Sequence, residues 1–313
     1  MWNLLGRRQG TAGIDLGSTA LKAVSFSFGA SGPRLSQVLC LEGTDHLDSV
    51  GARAGRSLRS VAVAMPPNLV DIQYFVLPPL SSSDLRSTVA YKMVGKLDYD
   101  LDDACIDYTY SISISRKDGN GEMQRVIGFA CRRSDAQILI DRFAQVGLKV
   151  EIIDVVPMAL MNIYRLSAPG FTNETMIGVD IGHETANFVI IQNGILLFYR
   201  HLPFSEPRSG SPEEIRRETV KELAYELKRT TDYCQVHITP VRVERVVLSG
   251  GGALQEGLAE DLERELGTPC QLLDCFPRKV FGMDRKWRRQ IEDASSPRLA
   301  VAAGLALRFG NAA

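Results

Sequence analysis

The segments Gly13-Ile14-Asp15-Leu16-Gly17 and Gly178-Val179-Asp180-Ile181-Gly182 carry one pattern twice, at an offset of 165 residues counted from Gly13 to Gly178. Each copy ends an apolar run, and each is followed by another, so that Leu21-Lys22-Ala23-Val24 lies over Ala186-Asn187-Phe188-Val189. A single Gly-x-Asp-x-Gly is a commonplace turn. Two copies, each closing one strand and opening the next, predict two related halves built on the same strand-turn-strand beginning.

The rest of the chain fills in around that repeat. After "TAGIDLG" and "ALKAVSFSF", the run "RLSQVLCLEG" predicts a third strand, and "SVAVAMPP" a buried strand stopped by two prolines that cannot donate to a ladder. A subregion then begins, with a strand in "LVDIQYFVLP" and a serine-capped helix in "SSSDLRSTVAYKMVGKL". "CIDYTYSISIS", the turn "KDGNGE" and "QRVIGFACR" read as a hairpin. A helix ended by Gly147 and the strand "LKVEIIDVVP" follow. The second half repeats the order through "TMIGVDIG", "TANFVIIQ" and "ILLFYRHLPF". It continues with a charged helix over Glu213 to Tyr233, the strand-turn "VERVVLSGGG", and a helix striped by Leu254, Leu258, Leu262 and Leu266. A closing helix is predicted from Ser296 or Pro297.

Composition narrows the classes. The 313 residues are 45% hydrophobic, and 36 basic against 37 acidic side chains leave no global field to attract nucleic acid. No apolar run approaches the ~20 residues of a membrane span. The opening "MWNLLGRRQG" lacks the pattern of a secretory signal. Its Trp2, Leu4 and Leu5 beside Arg7 and Arg8 read either as a contact for a membrane surface or partner, or as a loosely packed end. Six cysteines, Cys40, Cys105, Cys131, Cys234, Cys270 and Cys275, have no zinc-site spacing and are expected reduced in a cytoplasmic chain. His46, His201 and His237 are read as ordinary surface or half-buried side chains.

The candidate chemistry gathers at the turns. Glycines at Gly17 and Gly182 let backbone N–H groups approach phosphate oxygens, Ser18 and Thr19 add hydroxyl donors, and Lys22 adds a point charge. Asp15 and Asp180 would repel a phosphate, so they make sense beside one only with a divalent cation between, typically a water-coordinated Mg²⁺. Gly250, Gly251 and Gly252 leave bare backbone for a flat adenine ring. The alternative is that the glycines serve turn geometry alone and the aspartates cap local N–H groups.

These residues resemble the actin-like ATPase superfamily. Within it the chain is most similar to the PilM family of type IV pilus assembly, relatives of the cell-division protein FtsA. The resemblance is carried in order by "GIDLGSTALKAV", "VAMPPNLVDIQYFVLPPLSSSDLRSTVAYK", "LDYDLDDACIDYTY", "GLKVEIIDVVPMAL", "IGVDIG", "FYRHLPF" and "GGGALQEGLAEDL". It implies an α/β fold of two ribonuclease-H-like lobes around a cleft for ATP and Mg²⁺. Residues 1–67 and 148–173 would form the first lobe, closed by a helix over 296–309, and residues 174–295 the second. Residues 68–147 would form a small extra α+β subdomain. The resemblance also implies a cytoplasmic scaffold, peripheral to the inner membrane through its partner. It would hold the N-terminal cytoplasmic peptide of an inner-membrane PilN-like protein in a groove between the first lobe and that subdomain, and meet other pilus assembly proteins.

Two departures from the family pattern stand out. Only about nine residues separate "LPF" from the Glu213 helix, where relatives carry a longer insertion with the acidic and basic side chains that hold a ribose. Glu218 and Lys221 have the spacing to substitute, or form an exposed ion pair. His183 stands where relatives have small residues, and either donates to a phosphate or fills part of the pocket. For hydrolysis, Asp154 and Glu184 are the acidic candidates, with Asp154 equally suited to cap the following helix. At most slow ATP turnover is expected. A scaffold without nucleotide, of the kind in type II secretion, and a small-molecule kinase of the superfamily are the other readings.

Overall fold

The computed structural model describes residues 11–30, 32–43, 47–54, 58–115, 122–204 and 209–310. The opening segment with Trp2 and Arg8, His46, most of the "KDGNGE" turn and residues 205–208 lie outside the described residues. The chain divides into two compact units, one formed by residues 1–64 and 143–313 and the other by residues 65–142.

The large unit holds both copies of the repeat. Its first half runs β1 (Thr11–Leu16), β2 (Ala20–Gly29), β3 (Gly32–Glu42), α1 (Leu47–Ala54) and β4 (Ser60–Met65). The chain then passes through the small unit, with β5 (Asp71–Leu77), α2 (Ser82–Val94), β6 (Ala104–Ser115), β7 (Glu122–Arg132) and α3 (Arg133–Gln145). It re-enters the large unit with β8 (Lys149–Val155) and α4 (Val156–Ser167). The second half follows as β9 (Thr175–Ile181), β10 (Thr185–Gln192), β11 (Ile195–Pro203), α5 (Pro212–His237), β12 (Arg245–Ser249), α6 (Leu258–Leu266) and β13 (Cys270–Leu272). The short β14 (Gly282–Met283), α7 (Arg285–Ala294) and α8 (Ala300–Leu307) complete it.

The two sheets of the large unit are ordered alike. One reads β14-β3-β2-β1-β4-β8 and the other β11-β10-β9-β12-β13. In each, the first strand pairs antiparallel with the second and parallel with the fourth. β9 is buried at every residue, as a strand covered on both faces requires, and so carries no polar alternation. The turn between β10 and β11 places Asn193 and Gly194 at φ 50° and 77°, the positive pair that fits the twist of a hairpin. At the start of α5, Ser211 and Glu214 bond reciprocally in a capping box, with Pro212 in the first turn.

The helices that back the two sheets are exchanged. α4 leaves the first sheet's β8, yet its Tyr164 lies against β9; a Cβ on Gly178 would meet that ring at 2.2 Å. α8, from the second half, packs on β1, where a Cβ on Gly13 would meet the Ala302 carbonyl at 2.1 Å. α8 is buried on all sides and rich in alanine, which lets it sit between layers at this distance. The repeated glycines Gly13 and Gly178 thus make room for a helix.

In the small unit, β7 is the central strand of the order β5-β7-β6. Leu85, Val89 and Met93 of α2 are fully buried against one face, each contributing roughly 2 kcal/mol of apolar burial. The helix starts at Ser81, whose hydroxyl accepts the Asp84 N–H at 3.2 Å.

Several elements differ from the sequence expectations. The leucine-striped helix begins at Leu258; Gly257, at φ 77°, breaks it from a 3₁₀ turn over Gly252–Leu254. The closing segment is a 3₁₀ turn over Ser296–Leu299 followed by α8, which ends at Leu307. α5 extends beyond both expected ends. The strands β13 and β14, of three and two residues, were too short to leave a periodic signal.

Candidate functional site

The two glycine turns close by the same bond. Gly17 N–H donates to the Ala20 carbonyl at 3.1 Å, and Gly182 N–H to that of Thr185 at 2.8 Å. Upstream of each turn, the aspartate faces the partner strand in register: Asp15 opposite Lys22, Asp180 opposite Asn187. Residues directly opposite on antiparallel strands project to the same face. Lys22 Nζ donates to Asp15 Oδ2 at 3.0 Å, and Asn187 Nδ2 to Asp180 Oδ2 at 3.2 Å.

The structure brings these hairpins together. Both Asp15 and Lys22 act electrostatically on Asp180. Burial, then repulsion from Asp15, raises the Asp180 carboxyl above its ordinary value, against opposing contributions from Lys22, Asn187 and Ser249. Lys22 is raised, chiefly by Asp15, with burial working the other way. Cys40, opposite Lys22 on β3, belongs to the same neighbourhood and is raised chiefly by its own burial.

Asp180 sits in a buried hydrogen-bond network that sequence spacing did not reveal. Ser249 Oγ, at the end of β12, donates to Asp180 Oδ1 at 3.1 Å, and 3.0 Å separates it from the Tyr164 hydroxyl. Because Ser249 gives its proton to the carboxylate, Tyr164 is the donor in that second bond. Asn187 Oδ1 lies 2.7 Å from the Tyr199 hydroxyl, which donates to it, and 2.9 Å from His201 Nδ1. The acceptor is an amide oxygen, so Nδ1 carries the proton, and burial lowers the imidazole's pKa. His201 was expected to be an ordinary half-buried side chain; it is half-buried, and it also orients Asn187. The signal available in the sequence was the alignment of Asn187 with Lys22.

The other expected site residues divide by placement. Ser18, Thr19, His183 and Glu184 are exposed at the tips of the two hairpins, with Gly17 and Gly182 partly exposed beneath them. Gly250, buried with φ 86°, packs so closely on β9 that a Cβ would meet the Ile181 carbonyl oxygen at 2.2 Å. Gly252 is crowded by the Ile181 side chain. Gly251 differs: it is exposed, its φ is ordinary, and the nearest atom to a Cβ there is Arg298 Nε at 3.8 Å. The fold asks for glycine at Gly250 and Gly252, and leaves a side chain's space vacant at Gly251. Arg298 pairs with Glu42 at 2.7 Å beside this turn.

Glu218 and Lys221 are exposed on α5, and among the described residues no ion pair joins them. Asp154 is held elsewhere. Its Oδ1 accepts the Val155 N–H at 2.9 Å and its Oδ2 lies 3.1 Å from Arg308 Nε, a contact that joins the end of β8 to the residue after α8. Its carboxylate is thus engaged by a structural ion pair. His237 is exposed with its ring 4.4 Å from that of Tyr233. Among the described residues no group of three or more His, Cys, Asp or Glu side chains is arranged to hold a metal ion. No helix among them is long and apolar enough to cross a membrane.

The profile of a family described as type IV pilus assembly protein PilM matches residues 13–217 and 211–309. A solved PilM-PilN type IV pilus biogenesis complex contains a chain 21% identical to this one, with a TM-score of 0.77, covering 95% of this chain and 98% of that one. The ethanolamine utilization protein EutJ from Carboxydothermus hydrogenoformans is 15% identical with a TM-score of 0.51, covering 98% and 92%. At these identities the likeness is one of fold. The fold is the actin-like α/β architecture expected from the sequence.

Proposed function

This chain belongs to the PilM family of type IV pilus assembly proteins, and we propose on that footing that it is an actin-like scaffold whose large unit binds ATP with Mg²⁺. One observation carries the reading: two aspartate hairpins with the same turn bond and register meet, so that the Lys22 ammonium bonded to Asp15 also acts on Asp180. Two carboxylates against one cation leave uncompensated negative charge, which a divalent ion relieves. The donor set fits a hydrated Mg²⁺ held through its waters, since Mg²⁺ dehydrates reluctantly and these are two carboxylates without a third ligand. When bound, the ion would neutralise phosphate charge.

The protein's own groups supply the rest. Ser18 and Thr19 at one hairpin tip and His183 at the other are exposed, and their hydroxyls, backbone N–H groups and imidazole are assigned to phosphate oxygens. The vacant space at Gly251 suits a flat ring lying on backbone. Glu218 and Lys221, unpaired with each other on α5, are assigned to the ribose. Asp154 is tied to Arg308, which leaves Glu184 as the acidic side chain at a hairpin tip. Turnover is accordingly slow, below about 1 s⁻¹, the low end of ordinary enzymes. Nucleotide then serves as a ligand that shifts conformational populations.

The partner is assigned as the N-terminal peptide of a PilN-like inner-membrane protein, by likeness to the PilM-PilN complex and by the small unit's surface. Residues 68–147 are assigned to partner binding. Val76 and Tyr110, on the two outer strands β5 and β6, are 47% and 50% exposed, and Tyr91 and Val94 are exposed on α2. An added strand would have to join an outer edge, because β7 is paired on both sides. The protein would then lie in the cytoplasm, at the inner membrane through that partner.

Calorimetric titration with ATP, with and without Mg²⁺, tests the nucleotide reading. Mg²⁺-dependent heat in the native protein, abolished in Asp15→Ala, is expected; no heat at millimolar ATP assigns the chain to the scaffolds without nucleotide. Pull-down by a PilN-like N-terminal peptide, weakened in Val76→Asp or Tyr110→Asp, tests the partner. Retention equal to the native protein in both variants removes the outer strands from the interface.

A further inference from the structure

Cys105 and Cys131 stand directly opposite each other on β6 and β7. Their side chains therefore project to the same face of the small sheet, with Cβ atoms about 4.5–5.5 Å apart. Antiparallel partners also have Cα separations inside the 4.4–6.8 Å window that a disulfide spans, whichever type of pair they form. Both are free thiols, and they are close enough to act electrostatically on one another. Cys105 is half-buried, while Cys131 is 9% exposed. Cys270 and Cys275, the pair nearest in sequence, are not opposite each other: Cys270 faces Val246 across β13 and β12, and Cys275 lies in the segment beyond β13.

We propose that Cys105 and Cys131 form a reversible disulfide when the protein meets a low-molecular-weight disulfide, making the β6–β7 ladder a thiol modification site. The step balances in two exchanges. The Cys105 thiolate attacks one sulfur of the reagent, forming a mixed disulfide and releasing one thiolate. The Cys131 thiolate then attacks Cys105 Sγ, closing the protein disulfide and releasing the second. The reagent is reduced to two thiols by the two protons and two electrons that the cysteines give up. Exposure sets the order, since Cys105 is the more exposed of the two. The site is independent of the nucleotide and peptide readings.

Burial, then the neighbouring Cys105 thiol, pushes Cys131 up to about 11. Little of it is ionised near neutrality, so the second exchange is the slow one, and it speeds about tenfold per pH unit until that value is approached. Closure ties an outer strand to the central one, so that β6 can neither slip register nor peel from the sheet.

The full-length protein incubated with glutathione disulfide at pH 7 and pH 8.5 tests this, followed by intact mass and mapping of an unreduced digest. Native protein is expected to lose two hydrogens, with the cross-link mapped to Cys105 and Cys131, faster at the higher pH and reversed by dithiothreitol. Cys131→Ser should stop at a single glutathione adduct on Cys105, and Cys105→Ser should give no cross-link. A stable adduct on native Cys105 that never closes overturns the proposal. So does a cross-link through any other cysteine, or an unreacted Cys105 when Cys40 is modified. Mapping the native protein requires no variant to fold.

Discussion

Asp15 and Asp180 hold the same register position in hairpins with the same turn bond, and the surroundings of the two differ in kind. The first carboxylate is partly open, with its side chain 21% exposed and its bond made to the Lys22 ammonium. The second is bonded to Ser249 and Asn187, and through them to Tyr164, Tyr199 and His201. A duplicated backbone has thus acquired an adaptable acid on one side and a fixed one on the other. The same contrast recurs at the far end of the strands. Ser60 of β4 donates to Glu151 at 2.8 Å, while Arg245, at the matching place on β12, grips Glu174 through two bonds of 2.8 and 3.1 Å. Repetition fixes where a side chain stands, and its neighbours decide whether it is free to answer a ligand.

The contrast can be broken most forcefully at the aspartates. Asp180→Ala strands the buried donors of Ser249 and Asn187 and should lower stability by about 3 kcal/mol. Asp15→Ala, at the open site, should cost about 1 kcal/mol or less. Both should abolish Mg²⁺-dependent ATP binding, and urea denaturation beside calorimetry checks the pair. Equal stability losses would erase the distinction between the halves. Exchanging the partners comes next. Asn187→Lys takes the acceptor away from Tyr199 and His201 and should cost about 2–3 kcal/mol, whereas Lys22→Asn should cost under about 1 kcal/mol.

Within the second half, Gly250→Ala forces a Cβ onto the Ile181 backbone at positive φ and should cost about 2 kcal/mol. Gly251→Ala should leave stability within about 0.5 kcal/mol of native and weaken ATP binding. An unchanged affinity there would remove the ring from that position. The smallest effect is expected at Glu174. Arg245 holds its carboxyl below the ordinary 4.5, so the unfolded chain takes up the proton first. Its contribution is complete above pH 4.5 and fades as pH falls through the lowered native value. Glu174→Gln should flatten that part of the melting-temperature profile by no more than about 2 °C, and Ser60→Ala should leave it unaltered.

Much of the architecture was readable because it is periodic or repeated. α8 announces itself as an unbroken apolar run, β9 and β10 as largely apolar ones, and the Asn193-Gly194 turn by its chemistry. The small unit's central strand was legible as a strand; that both its edges are paired was not, since pairing is a long-range property. At the site, the aspartates and glycines could be found from the repeat, whereas Tyr164, Ser249 and His201 could not. They reach Asp180 and Asn187 from α4, β12 and β11, elements brought together only by the tertiary fold. The glycines also differ in what the fold demands of them. Gly13, Gly178 and Gly250 answer to close packing, and Gly251 is the glycine whose smallness the protein's own atoms do not require.

The exchanged helices bear on the ancestry of such a chain. α4 begins in the first half and backs the second, and α8 does the reverse, so each half leaves one face of its opening strand to a helix of the other. A progenitor of half the length would have exposed that face unless two copies lent each other a terminal helix. Gene fusion would then have made a pre-existing twofold partnership permanent, freeing each copy of the aspartate turn to drift toward a separate task.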